Sequence, residues 1–88
     1  MQTLYILYSL KDHKLYVGRT TNLYERLATH FKGGVIATKH RLPLKLIHKE
    51  HFKTASEAAK RERFLKSLWG AKDKRNILKE YLVNSFSN

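Results

Sequence analysis

The sequence predicts an α/β (α+β) domain in which a small three-stranded antiparallel sheet is flanked by helices. Three observations carry that prediction. Two short strand-like runs precede an amphipathic stretch within the first 31 residues, and a third, imperfectly alternating run spans Leu44 to Phe52. The remainder opens on a capping box and keeps helical periodicity. With 88 residues there is room for one domain, 1–88, and a modest core.

Thr3 to Ser9 (TLYILYS) is aromatic and aliphatic without polar alternation, the pattern of a strand covered on both faces at the centre of a small sheet. Leu10-Lys11-Asp12-His13 reads as a hairpin loop into Lys14 to Gly18. With four loop residues Ser9 faces Lys14 and Leu7 faces Tyr16, so Tyr5 and Tyr16 share a side of the sheet as diagonal neighbours, roughly 7 to 8 Å apart at Cα. A loop one residue shorter or longer would put them on opposite faces.

Gly18 reads as a turn residue opening a bend that a Cβ would resist. Thr20, Thr21 and Asn22 then offer N-cap oxygens to a helix beginning near Leu23. On that helix Leu23, Leu27 and Phe31 recur at i, i+4, i+8, and Arg26 and His30 form a second row beside them. Lys32-Gly33-Gly34 stops the helix. The basic segment after it, with Lys39, His40, Arg41 and Pro43, is expected to be the most exposed and mobile part of the chain. Leu44 to Phe52 (LKLIHKEHF) reads as an edge strand, with Leu44, Leu46 and His48 on one side and Lys45, Ile47 and Lys49 on the other.

Thr54-Ala55-Ser56-Glu57 is a capping box that starts a helix at Ala55. At about 100° per residue, Ala58, Leu65, Leu68 and Trp69 cluster on one face, with Glu62 inside that cluster and Lys60, Arg63 and Lys66 pointing away. Gly70 ends this helix. Lys72 to Phe86 carries another, with Ile77, Leu78, Tyr81 and Leu82 as its packing face, and Ser87-Asn88 is expected to fray.

Eighteen Lys and Arg against seven Asp and Glu give a formal charge of +11. That density of positive charge favours a polyanionic partner, nucleic acid ahead of an anionic membrane. The lack of cysteine excludes disulfides and a thiolate zinc site. No basic segment leads a long apolar run and no stretch approaches a membrane span, so the expectation is a soluble intracellular protein, cytoplasmic and nucleoid-associated if bacterial.

A carboxylate aimed at a core needs a partner. For Glu62 two readings stand: an ion pair to Arg61 or to a cation of the first helix, or a single ligand for Mg²⁺, which takes few protein carboxylates when a phosphate supplies other oxygens. The five histidines contain no HExxH and no Cys/His set. His30 stands out because it shares a row with Arg26, the alternative being a surface histidine beside the apolar stripe. Tyr8, Tyr24 and Tyr81 read as half-buried core with wet hydroxyls. Tyr5 or Tyr16, beside Arg26 and a metal-bound phosphate, could serve as general base, since neighbouring cations favour the phenolate.

Taken in order, TLY, then YVG, Asn22-Leu23, Arg26, His30 and the late helical Glu62 resemble the GIY-YIG nuclease superfamily, over nearly the whole chain. The chain is most similar to the small standalone bacterial members. The resemblance implies a compact sheet flanked by helices and Mg²⁺-dependent (or Mn²⁺-dependent) hydrolysis of DNA phosphodiesters. It matches Tyr5 and Tyr16 to the two motif tyrosines, one of them helping to activate water, and Gly18 to the glycine that shapes the turn. It matches Arg26 to the arginine on the scissile phosphate, His30 to the histidine assisting at the phosphate or in proton transfer, and Glu62 to the metal-binding glutamate. Two departures stand out: Thr3-Leu4 replaces Gly-Ile, and Arg19 follows Gly18, where a cation could help to hold phosphate. Asn76 is a candidate for an asparagine that some members use after the metal-binding helix.

The leading expectation is therefore an endonuclease of low sequence specificity acting on branched, damaged or single-stranded DNA, with a role in DNA repair or recombination. Arg19, Lys39, His40, Arg41, Lys60, Arg63 and Lys66 would hold nucleic-acid phosphates. The leaving 3′-oxygen would be stabilised by metal, water or His30. The rival is a non-catalytic basic nucleic-acid-binding module. A membrane-surface protein fits less well, because the aromatics are spread through the expected core.

Overall fold

A computed structural model of the protein describes residues 1–86. Ser87 and Asn88, expected to fray, lie outside the described residues. Strands β1 (Gln2–Ser9), β2 (Leu15–Thr20) and β3 (Leu44–Phe52) form one antiparallel sheet in the order β2-β1-β3. The continuous apolar run is the central strand, as its lack of alternation requires: Thr3 through Ser9 are all buried.

The hairpin has the register that a four-residue loop dictates. Leu7 pairs with Tyr16 and Tyr5 with Gly18, and the Ser9 amide donates to the Lys14 carbonyl at 3.0 Å. The buried Ser9 hydroxyl accepts from the amides of Lys11 and Asp12, and His13 closes the turn at φ 60°.

Helix α1 (Leu23–Phe31) covers one face of the sheet, while α2 (Ala55–Lys66) and α3 (Ala71–Phe86) cover the other. Tyr5, Leu7 and Leu44 meet Leu23 and Leu27 of α1; Leu4, Ile6 and Val17 meet Leu65 of α2 and Ile77 of α3. Phe31, the third member of the α1 stripe, is instead exposed. The Asn22 carboxamide oxygen caps α1 by accepting from the Glu25 amide. Gly33, at φ 83°, donates to the His30 carbonyl and Gly34 to that of Thr29, so the two glycines end α1 in a Schellman motif.

Strand β3 departs from simple alternation. Ile6 pairs with His48 and Leu7 with Leu46, which leaves Ile47 as an extra residue in a bulge. Leu44 and Leu46 therefore face α1, whereas Ile47 faces the other helices and His48 follows it to that side, where it bonds Glu50. The expected grouping of His48 with Leu44 and Leu46 fails because a bulge reverses the pleat.

Helix α2 starts at Ala55 with Thr54 as N-cap, its hydroxyl oxygen accepting from the Glu57 amide and donating to the Glu57 carboxylate. The helix ends at Lys66, earlier than its periodicity implies. Ser67 turns extended and Leu68–Gly70 form a 3-10 turn, leaving Leu68 and Trp69 93% and 84% exposed rather than in the core. Ala58 and Leu65 alone hold the expected face. The α3 stripe also divides: Ile77 and Tyr81 face β3, while Leu78 and Leu82 line a shallow outward groove with Val83.

The segment after α1 is held more firmly than expected. Val35 and Thr38 are buried, the Arg41 carbonyl accepts from Ser9 Oγ at 2.6 Å, and the Leu10 amide donates to the Pro43 carbonyl. No helix of the described residues is long and apolar enough to cross a membrane.

Candidate active site

Strand alternation and helix spacing bring four expected residues to one place. Tyr5 and Tyr16 project from β1 and β2 to the α1 side with ring centroids 6.3 Å apart, and the His30 ring meets both edge-on at 5.6 and 5.1 Å. Arg26, one turn before His30, reaches Tyr5 Oη with Nε at 3.4 Å.

Tyr5 Oη and His30 Nε2 lie 2.9 Å apart, and His30 Nδ1 lies 2.8 Å from Thr38 Oγ1. All three residues are at most 1% exposed. Arg26 can only donate, so the Tyr5 hydroxyl accepts from it, and each ring nitrogen of His30 has a hydroxyl partner. Burial, and secondarily the Arg26 cation, lower the His30 pKa below the ordinary imidazole value, which favours the neutral ring.

Burial raises the Tyr5 pKa above that of a free phenol, although the Arg26 hydrogen bond pulls the other way. In the protein alone desolvation thus outweighs the Arg26 cation at Tyr5 and favours the neutral phenol. Hydrogen bonding to Tyr5 raises the Arg26 pKa, and Tyr16 adds to the shift. Tyr16 is only half-buried and Arg26 is partly exposed, so these two border the surface while Tyr5 and His30 lie behind them.

Two sequence-based roles change. Gly18 forms no turn; it lies inside β2 opposite Tyr5, and a Cβ there would stand 2.5 Å from Tyr5 Oη and 3.0 Å from a Tyr16 ring carbon. Its bare Cα makes room for the rings. His30, expected at the phosphate or in proton transfer, has no exposed surface and both ring nitrogens engaged, so it stands behind Tyr5 rather than at the surface. Thr38 was not anticipated from the sequence. Its only advance signal is that a buried histidine needs a second partner.

Glu62 is separate from this cluster. It stands at the rim of α2 with its side chain 19% exposed, beside the core rather than aimed into it. Arg19 Nε donates to one oxygen at 3.1 Å and Lys66 Nζ to the other at 3.0 Å. These are neither Arg61 nor a cation of α1. Arg61 instead binds both oxygens of Glu50 and one of Asp73, with Asn76 beside them. Burial works against ionisation of Glu50, but the Arg61 and His48 hydrogen bonds outweigh it and lower its pKa. Gly18 and Arg19 are adjacent on β2 and face opposite ways, so Glu62 stands across that edge strand from the tyrosines.

Among the described residues no three His, Asp or Glu side chains gather as a metal cage. Glu62 fits a hard divalent ion as a single partly exposed carboxylate, leaving other positions to water and substrate oxygens. Its Lys66 partner is 54% exposed on a flexible stem and can move aside.

The basic residues divide. Lys39, His40, Lys60 and Arg63 are exposed. Arg41 is not a free phosphate ligand, because Nε donates to Asp12 at 2.7 Å and its η-nitrogen reaches the Leu15 carbonyl, tying the loop to the hairpin. The Arg41 hydrogen bond, helped by the Lys14 amide, lowers the Asp12 pKa to about 2. Arg19 and Lys66 are engaged by Glu62.

Residues 1–76 match the family model described as the GIY-YIG catalytic domain. A UPF0213 protein of Natronomonas pharaonis is 42% identical over 73 residues, covering 82% of this chain and 86% of that protein. One from Staphylococcus haemolyticus is 47% identical over 58 residues, 65% of this chain and 71% of its own length. One from Bacillus licheniformis is 42% identical over 73 residues, 82% and 74% of the two chains. No solved structure matches the chain. The family-model match covers 76 of the 88 residues, and the chain belongs to the GIY-YIG family, with its nuclease-type fold.

Proposed function

We propose that this protein is a divalent-metal-dependent endonuclease that hydrolyses DNA phosphodiesters with low sequence specificity, acting in the cytoplasm on branched, damaged or single-stranded DNA, in repair or recombination. The observation that carries the reading is the convergence of Arg26 and two tyrosines over a buried His30. A plain binding surface has no need of a neutral histidine hydrogen-bonded on both sides.

In the proposed reaction Arg26 donates to the non-bridging oxygens of the scissile phosphate, where charge builds as water attacks. Tyr16, the more exposed phenol, orients the water and relays its proton, releasing its own hydroxyl proton to solvent as it accepts the water's, while the P–O3′ bond breaks and the leaving 3′-oxygen takes a proton from solvent. Tyr5 holds Arg26 from behind, His30 holds Tyr5, and Thr38 holds His30. Glu62 would hold the ion, Mg²⁺ or Mn²⁺, which when bound offsets phosphoryl charge and acidifies water. Lys39, His40, Lys60 and Arg63 supply phosphate contacts that position the strand without reading sequence.

A non-catalytic basic module is favoured by one observation, the pairing of both Glu62 oxygens with cations. Nicking of supercoiled plasmid at low salt, with Mg²⁺, Mn²⁺ or chelator, decides between the two. The nuclease reading expects metal-dependent nicking that Glu62→Ala loses. Tight, salt-sensitive binding with no cleavage of plasmid, branched or single-stranded DNA would overturn it.

A further inference from the structure

We infer that Trp69 is a stacking platform for an unpaired nucleobase, so that the preferred substrate is nucleic acid with single-stranded character beside the scissile phosphate. The inference rests on the reading that the protein acts on nucleic acid.

Helical periodicity would bury Leu68 and Trp69, yet both stand in solvent. The turn that exposes them is firmly held. Ser67 Oγ donates to the Phe64 carbonyl at 2.6 Å, the Ser67 amide donates to the same carbonyl, and the Gly70 amide donates to the Ser67 carbonyl. Gly70 is buried against the α2 backbone, where a Cβ would collide with the Phe64 carbonyl oxygen and lie 2.6 Å from Leu65 Cα. The indole is thus presented on a backbone that cannot easily turn it inward.

The surroundings are complementary to a polyanion. From Lys60 to Arg75 there are seven Lys and Arg against two carboxylates, and both carboxylates, Glu62 and Asp73, are already paired with cations. Lys66 and Lys72, each three residues from Trp69, are exposed and lie within about 11 Å of it at Cα. Lys66 also touches Glu62, so the indole stands one helical turn and a short 3-10 turn from the candidate metal ligand. A strand with a phosphate near Glu62 can lay a neighbouring base on Trp69 while Lys66 and Lys72 meet its phosphates. Every base has a π-face, so this contact tolerates sequence but not pairing, because paired bases are already stacked within the duplex. A membrane is a poorer occupant, since the exposed apolar side chains here are Leu68, Trp69 and the 40%-exposed Phe64 among several cations, rather than a whole helix face.

Trp69 is the sole tryptophan, so its fluorescence reports the contact directly. The full chain is titrated in chelator with oligothymidylate and with a duplex of equal length, following both indole emission and the anisotropy of labelled DNA. The inference expects quenching by the single strand, and Trp69→Ala to weaken single-strand binding about tenfold with duplex affinity unchanged and Trp69→Phe largely restoring it. Binding seen by anisotropy without quenching, or equal weakening for both DNAs, overturns the inference alone. No binding to either DNA overturns the nucleic-acid reading as well. A blue shift on phosphatidylserine vesicles with no response to DNA would assign the patch to membrane instead.

Discussion

The hydroxyl of Tyr5 lies directly over Gly18, in the space that a Cβ at that position would fill. The two residues are cross-strand partners at the centre of the hairpin, so neither ring nor backbone can yield without disturbing the sheet. Gly18→Ala is expected to push the phenol off His30, costing about 1–3 kcal/mol of stability and lowering turnover about 100-fold. Thermal unfolding and single-turnover cleavage check the two effects separately.

His30 contributes a pH dependence whose sign follows from its lowered pKa. The fold favours the neutral ring, so this contribution is complete above the unfolded value of about 6.5 and is lost as pH falls toward and below the folded value. Thermal stability should therefore decline from pH 7 to 5, and His30→Gln should flatten that decline. Melting curves across this range measure it, and an undiminished slope in the variant would show that other groups cause the loss.

Arg26→Ala should lower kcat about 10²- to 10³-fold with a smaller change in DNA affinity, because its donors meet charge that develops in the transition state. Arg26→Lys should recover little, since one ammonium cannot serve both the Tyr5 oxygen and a phosphate in the same fork. Single-turnover rates beside binding isotherms provide the check, and equal losses in both would count against the role.

Glu62→Ala should abolish cleavage while leaving DNA binding intact or tighter, as an anionic group beside phosphate is removed. Lys66→Gln should lower the half-saturating metal concentration a few-fold, because an ion at Glu62 no longer competes with the ammonium. Metal titrations of the cleavage rate read this out.

Arg41 and Lys39 should separate structure from binding. Lys39→Ala is expected to reduce the salt dependence of DNA affinity by about one unit of log–log slope. Arg41→Ala should leave that slope unchanged and speed proteolysis between residues 32 and 43, because its guanidinium is committed to Asp12 and the Leu15 carbonyl.

The sequence by itself determined the features that depend on near neighbours. A four-residue loop sets the β1–β2 register, which in turn places Tyr5 and Tyr16 on one face; Thr20-Thr21-Asn22, Gly33-Gly34 and Thr54 mark three helix ends; and spacing sets Arg26 beside His30. Only the tertiary structure decided what depends on distant chain meeting. Thr38 completes the His30 hydrogen bonds from a loop, Arg19 reaches Glu62 across 43 positions, and Arg41 pairs with Asp12 across 29. Three further results oppose the local pattern. The β3 bulge sends His48 to the other face, the early stop of α2 exposes Trp69, and packing buries His30 completely behind Tyr5. Periodicity reports which side of its own element a residue occupies. How deeply the residue is buried, and which polar atom meets it there, is set by packing between elements, and burial and hydrogen bonding in turn set the charge state of the groups at this site.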